Sequence, residues 1–177
     1  MNPSKNITFG NYILLIIFLS LAMILSEKAE SAESWSVDKR FKDNGDKTIT
    51  DTKTGLMWMK EDSYLYSGHW VNWFKSIQFI KQMNKEGFAN KYDWRLPTID
   101  QLTTLYEMDK MNSKVLGKGM NIHIDPIFAK EGSGSIWSID ENGNHNAFGL
   151  VFNTGKRFNS AKNSTFRKAI RAVRYLN

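Results

Sequence analysis

Beyond residue 40 the chain runs in short apolar stretches separated by turn residues, and twice the period lengthens to that of a helix face. "RFKDNGDKTITDTKTGLMWMK", Arg40 to Lys60, reads as strand, turn, strand, turn, strand. Asn44-Gly45 marks the first turn because both residues tolerate positive φ. Thr48-Ile49-Thr50 is β-branched, Asp51 to Gly55 supplies a second turn, and Leu56 to Met59 is apolar again. Trp70, Trp73, Phe74, Ile77, Ile80 and Met83 then recur at helical spacing, with Gly87 placed to end the helix. Tryptophans on such a face read as core rather than as a sugar platform.

A second helix follows "WRLPT". Thr98 as N-cap with Gln101 three residues on makes a capping box, and Leu102, Leu105 and Tyr106 give an apolar stripe. Asn112 to Gly134 carries weak signals, so this long connection is expected to hold short irregular elements or a binding loop. "SIWSID", "NAFGLVFNTG" and "FRKAIRAVRYL" read as closing strands of an antiparallel sheet, joined by Asn142-Gly143 and Asn153-Thr154-Gly155 turns. The last of these also fits a helix, since Arg167, Lys168, Arg171 and Arg174 would share one face; "AVRY" favours a strand. No internal repeat or low-complexity run interrupts the pattern.

The first residues differ in kind. Tyr12 to Leu25 is apolar except for Ser20, with Lys5 before it and "SEKAESAES" after it, the layout of a secretory signal cut before Ala32, Ala29 and Ser31 holding the −3 and −1 positions. As a helix this core spans roughly 21 Å, against roughly 30 Å of hydrocarbon. Residues 1–31 are therefore expected to be a signal peptide, with an uncleaved anchor over residues 7–25 as the alternative. Residues 32–39 are a linker, and residues 40–177 one domain. Either way the domain is exported: periplasmic, cell-surface or secreted.

Composition narrows the chemistry. The chain has no cysteine, so an exported domain here must fold by packing without disulfides, and thiol nucleophiles and thiolate metal sites are excluded. Aromatics make up 13% of residues, six of them tryptophan, and supply the core. Net charge is +6, and its distribution says more than its size. From Asn142 to Asn177 there is no Asp or Glu, while Lys156, Arg157, Lys162, Arg167, Lys168, Arg171 and Arg174 are basic. These either present one positive surface to an anionic partner, or are solvated or paired with carboxylates from earlier in the chain. On a strand Arg171 and Arg174 fall on opposite faces, so at least one is expected to turn inward onto a carboxylate such as Asp93.

Other constellations carry less. "DNGDKTITD" resembles a calcium loop in composition, but counting from Asp43 the ligand positions hold Asp43, Gly45, Lys47, Thr48 and Thr54, which fails the pattern. Asp43, Asp46 and Asp51 are assigned to turns. His69, His123 and His145 are dispersed, Ser133 and Ser135 lack nucleophile-elbow spacing, and Glu61-Asp62 and Asp140-Glu141 are adjacent pairs. No enzymatic activity, cofactor or metal is expected.

"DxxTGLMW" (Asp51, Thr54 to Trp58), "DWRLPT" (Asp93 to Thr98), "IWSID" and the final "IRAVRYL" resemble, in order and spacing, the Lcl C-terminal-like domain family. The resemblance covers Arg40 to Leu176. It implies an α+β domain of C-type-lectin-like fold, two helices packed on a twisted antiparallel sheet. It also implies recognition of sulfated polysaccharide through basic residues, as in the collagen-like adhesin that names the family. The chain departs from that family in having no collagen-like repeat, and Ala172 where relatives often carry cysteine. The fold's formylglycine-generating relatives work through cysteine, which is absent. The expected function is thus a non-enzymatic module binding an anionic glycan or cell-envelope polymer through Lys156, Arg157, Lys162, Arg167, Lys168, Arg171 and Arg174, with Lys162 and Lys168 among those at the surface. The alternative is an envelope assembly protein binding a protein partner. Nucleic acid is disfavoured by export.

Overall fold

A computed structural model describes residues 34–115 and 119–176; the expected signal or anchor segment lies outside them. Four short strands, β1 (Ser34–Trp35), β2 (Phe41–Asp43), β3 (Thr48–Asp51) and β4 (Leu56–Met59), form an antiparallel meander. Two short helices and one long one follow: α1 (Ser63–Ser67), α2 (Trp73–Glu86) and α3 (Ile99–Leu105). A two-stranded hairpin, β5 (Ser113–Lys114) with β6 (Asn121–Ile122), lies in the long connection. A second sheet is built by β7 (Ser135–Asn142), β8 (Asn146–Val151) and β9 (Lys156–Ala161). The chain then returns to the first sheet, where β10 (Val173–Tyr175) pairs with β4. The class is α+β with antiparallel sheets.

The turn carboxylates act as the sequence implies. Asp43 Oδ1 accepts from Gly45 N at 3.1 Å, Asp46 Oδ1 from Thr48 N at 3.1 Å, and Asp51 Oδ1 from Lys53 N at 3.1 Å. The left-handed residues of the first turn are Gly45 and Lys47, rather than Asn44 and Gly45. Asn72 caps α2 by accepting from Lys75 N at 2.8 Å, and Gly87, at φ 69°, ends it. The capping box of α3 is formed in full, Thr98 and Gln101 bonding each other's backbone N–H at 3.2 and 3.0 Å. Asp140 adds a third acceptor at this helix start, 2.6 Å from Ile99 N.

Two clusters make the core. One joins Phe41, Ile49, Trp58, Leu102, Leu105, Phe128, Ile136 and Leu150, tying the meander to α3 and the second sheet. The other joins Met59, Trp73, Ile80, Met83, Trp94 and Trp137, seating α2. Each fully buried large side chain stabilises by about 1.5–3 kcal/mol. Trp70 precedes α2 and stacks on Tyr64, and Phe74 lies on the open side of the helix, so neither belongs to its buried face.

The C-terminal third departs furthest from expectation. Strand β9 was not legible, and the closing strand β10 joins the first sheet rather than the second. Between them the backbone threads through the middle of the fold. Val71 N donates to Lys168 O, Ser63 N to Ile170 O and Met59 N to Ala172 O on one side; Trp137 N donates to Ala169 O on the other. A segment bonded on both flanks is interior, whatever its charge.

Candidate functional site

That threading decides where the basic residues go. Lys162 is buried: its Nζ pairs with Glu141 Oε2, donates to the Gly143 and Asn144 carbonyls at 3.2 Å each, and lies over the Trp73 ring. Lys168 is also buried, over the rings of Trp137 and Phe158, with Nζ donating to Ser164 Oγ at 2.9 Å. Burial pushes its amine below the ordinary lysine value. The placement of Lys162 and Lys168 at the surface is therefore corrected.

Arg171 and Arg174 both turn inward. Arg171 Nη1 donates to Met59 O at 2.8 Å and to Lys60 O, with the guanidinium against Phe128. Burial pushes its pKa down, and the charges of Asp62 and Glu61 partly oppose that. Arg174 Nε donates to Asp93 Oδ1 at 2.7 Å, the carboxylate expected for at least one of the pair, and holds Asp93 below its usual range. Four of the seven candidate cations thus serve inside the fold.

Lys156, Arg157 and Arg167 remain accessible, with no carboxylate partner among the described residues. Lys156 and Arg157 are exposed neighbours on β9 and project from opposite faces of that edge strand, Arg157 lying over the Phe148 ring at 4.3 Å. A positive surface, one of the two expectations for these residues, is therefore not shared by all seven. Instead a cleft of about 280 Å³ opens beside β9. Val115 and Met120 stand on one side, Val151 and Phe158 belong to the second sheet, and Arg167 and Lys168 come from the loop after β9.

Local chemistry builds this cleft. Phe158 lies against β8 because residue 149 is glycine; a Cβ there would collide with the Phe158 ring and with Ile136 O. Arg167 is held at φ 49°, the left-handed region that L side chains rarely adopt. Its carbonyl accepts from Ser133 Oγ at 3.1 Å, and Ser133 N in turn donates to Asp62 Oδ2 at 2.5 Å. Arg167 Nη1 is buried with no hydrogen-bond partner among the described residues. No periodicity announces this site. Its only sequence trace is the pair Arg167-Lys168 after Phe166, in a segment free of acids.

Ser133 is thereby committed to backbone carbonyls. His123 is half-buried with Nδ1 bonded to Lys110 O, while His69 and His145 are exposed and far along the chain from it. Asp125 is paired with Lys110, and no group of three or more His, Asp or Glu among the described residues is placed to hold a metal.

The described residues thus form an α+β domain of antiparallel sheets with a small cleft beside β9, lined in part by Arg167 and Lys168. The chain belongs to the Lcl C-terminal domain family, whose model matches residues 47–174. No curated protein matches the sequence.

Proposed function

We propose that this is an exported, non-enzymatic binding module of C-type-lectin-like architecture that recognises an anionic glycan or cell-envelope polymer. One observation carries the reading. Of the seven basic residues, the four with neither a carboxylate nor a pair of backbone carbonyls to hold them, Lys156, Arg157, Arg167 and Lys168, lie on or beside one cleft and its edge strand. Guanidinium and ammonium donors there meet sulfate or carboxylate oxygens with charge-assisted bonds. Each exposed cation contributes only about 0–1 kcal/mol, so the polymer is held by several contacts and released by salt.

Retention on immobilised heparin, eluted by a salt gradient, tests this. The wild type should elute well above physiological ionic strength, and Lys156→Ala/Arg157→Ala should elute earlier while keeping its thermal midpoint. A wild type that passes through at low ionic strength defeats the reading. A second reading, assembly with an envelope protein, draws on the apolar groove of about 490 Å³ beside β1. There Trp35 and Met111 are about half exposed and Val37 is fully so.

A further inference from the structure

The cleft is small, and its walls are not those of a purely ionic site. At roughly 30 Å³ for each water-sized group, 280 Å³ admits about ten non-hydrogen atoms. A single charged residue fits within it. Val115, Met120, Val151 and Phe158 offer hydrocarbon, while the two cations come from one direction, the loop after β9.

Three observations at Arg167 point to a ligand. Its Nη1 is buried and unpartnered among the described residues, as are Arg95 Nη2 and Arg171 Nε, but of these three arginines only Arg167 lines the cleft. Its backbone holds a conformation suited to glycine, as it does at five other non-glycine positions among the described residues, so an arginine there is strained. Its neighbour Lys168 is desolvated over two aromatic rings without a counter-ion, its Nζ donating to Ser164 Oγ at 2.9 Å and to Phe166 O at 3.4 Å.

From this juxtaposition we infer that the cleft is a subsite for a small organic anion with an apolar body, its carboxylate or sulfate on Arg167 and Lys168 and its hydrocarbon against Phe158 and Val151. This rests on the reading of the domain as an anion-binding module and specifies what enters the cleft. An acyl- or aryl-substituted acidic residue ending a polymer, or the same group as a free molecule, carries this chemistry. The polymer beyond it runs over Lys156, two residues from Phe158 and so on the same face of β9.

The experiment is an amide-resolved NMR titration of the full chain with phenylacetate, 2-phenylethylamine and acetate. Phenylacetate should shift the amides of Phe158, Asn159, Arg167, Lys168 and Ala169, saturating in the millimolar range appropriate to about ten heavy atoms. The amine should shift none of them, and acetate should bind at least tenfold more weakly. Arg167→Gly and Arg167→Asn, both at ease at positive φ, should lose phenylacetate binding tenfold or more while the thermal midpoint holds or rises. Equal response to phenylacetate and the amine overturns the inference, as does no response to phenylacetate at about 20 mM, well above that millimolar range. So does a marked fall in midpoint in both variants, which would make Arg167 a structural residue. Heparin retention with no phenylacetate response sinks the subsite and leaves the polymer reading standing; phenylacetate binding without heparin retention does the reverse. Competition of heparin with bound phenylacetate separates a polymer terminus from a free ligand.

Discussion

Arg171 offers the sharpest separation between a ligand-binding cation and a structural one. Its guanidinium is enclosed, donates through Nη1 to the carbonyls of Met59 and Lys60, and lies 4.9 Å from the Phe128 ring centroid. In Arg171→Ala the Met59 carbonyl loses this donor and Lys60 O keeps only the Ala129 amide, at about 1–3 kcal/mol for a carbonyl left bare when buried. Loss of the packed stem adds to this, and release of one desolvated charge subtracts from it. The net expectation is a loss of about 3 kcal/mol, a large share of the roughly 5–15 kcal/mol that holds a domain together.

Urea unfolding followed by tryptophan fluorescence reads this directly. With a slope of about 2 kcal/mol per molar urea, the midpoint should fall by roughly 1.5 M at unchanged slope. Arg171→Lys should recover less than half, because one ammonium on a flexible stem does not reproduce the planar array of donors. Arg171→Met, keeping the volume, should lie between wild type and alanine. The reasoning is refuted if Arg171→Ala unfolds at the wild-type midpoint and instead releases heparin early.

Thr98→Ala removes half of the α3 capping box and should cost about 1 kcal/mol, whereas Thr98→Ser should be near neutral, both by the same urea assay. Asp38 is held well below its ordinary value by Lys110, then by Ser36 and the Arg40 amide, so its contribution is present above about pH 4 and is lost as pH falls below that. Asp38→Asn should therefore flatten the acid limb of the stability–pH curve, and because Asp38 is partly exposed the difference should shrink in molar salt. Gly149→Ala pushes Phe158 off β8 and should cost about 1–3 kcal/mol, with the phenylacetate response lost in whatever fraction remains folded.

Local rules carried the parts of the fold that local rules govern. The meander from Arg40 to Lys60, the α2 stripe and the Thr98–Gln101 cap each follow from spacing or from a side chain bonding its own neighbourhood. Strand β9 escaped because "KRFNSA" is an edge strand with one large apolar residue, Phe158, so alternation had little to register. The partner of β10 was not legible either, since "AVRY" fits either sheet and only the pairing of Val173 with Trp58 selects the first. Arg174 on Asp93 could be anticipated because a buried strand arginine needs an acceptor. The cleft could not be, because Val115, Gly149, Phe158 and Arg167 meet only in three dimensions.

The acid-free C-terminal segment has a physical use that net charge alone conceals. Its backbone runs between two sheets and past loop ends, places where carbonyls lack a ladder partner and must find donors elsewhere. Carboxylates only accept, so they are useless there; lysine and arginine carry three and five N–H groups. Lys162 closes the carbonyls of Gly143 and Asn144, Arg171 those of Met59 and Lys60, and Arg40 does the same for Thr104. In a domain without disulfides, such multivalent donors tie irregular segments together where strands do not. A basic run then has two explanations, surface recognition and interior carbonyl satisfaction, and the two differ in their arithmetic. Lys162, Arg171 and Arg174 are each held by a carboxylate or by a pair of carbonyls, so the cations lacking both are the ones proposed to meet an anion. By that criterion Arg167, Lys168, Lys156 and Arg157 are the cations we propose for an anion, and the buried remainder should tolerate no substitution that leaves its carbonyls bare.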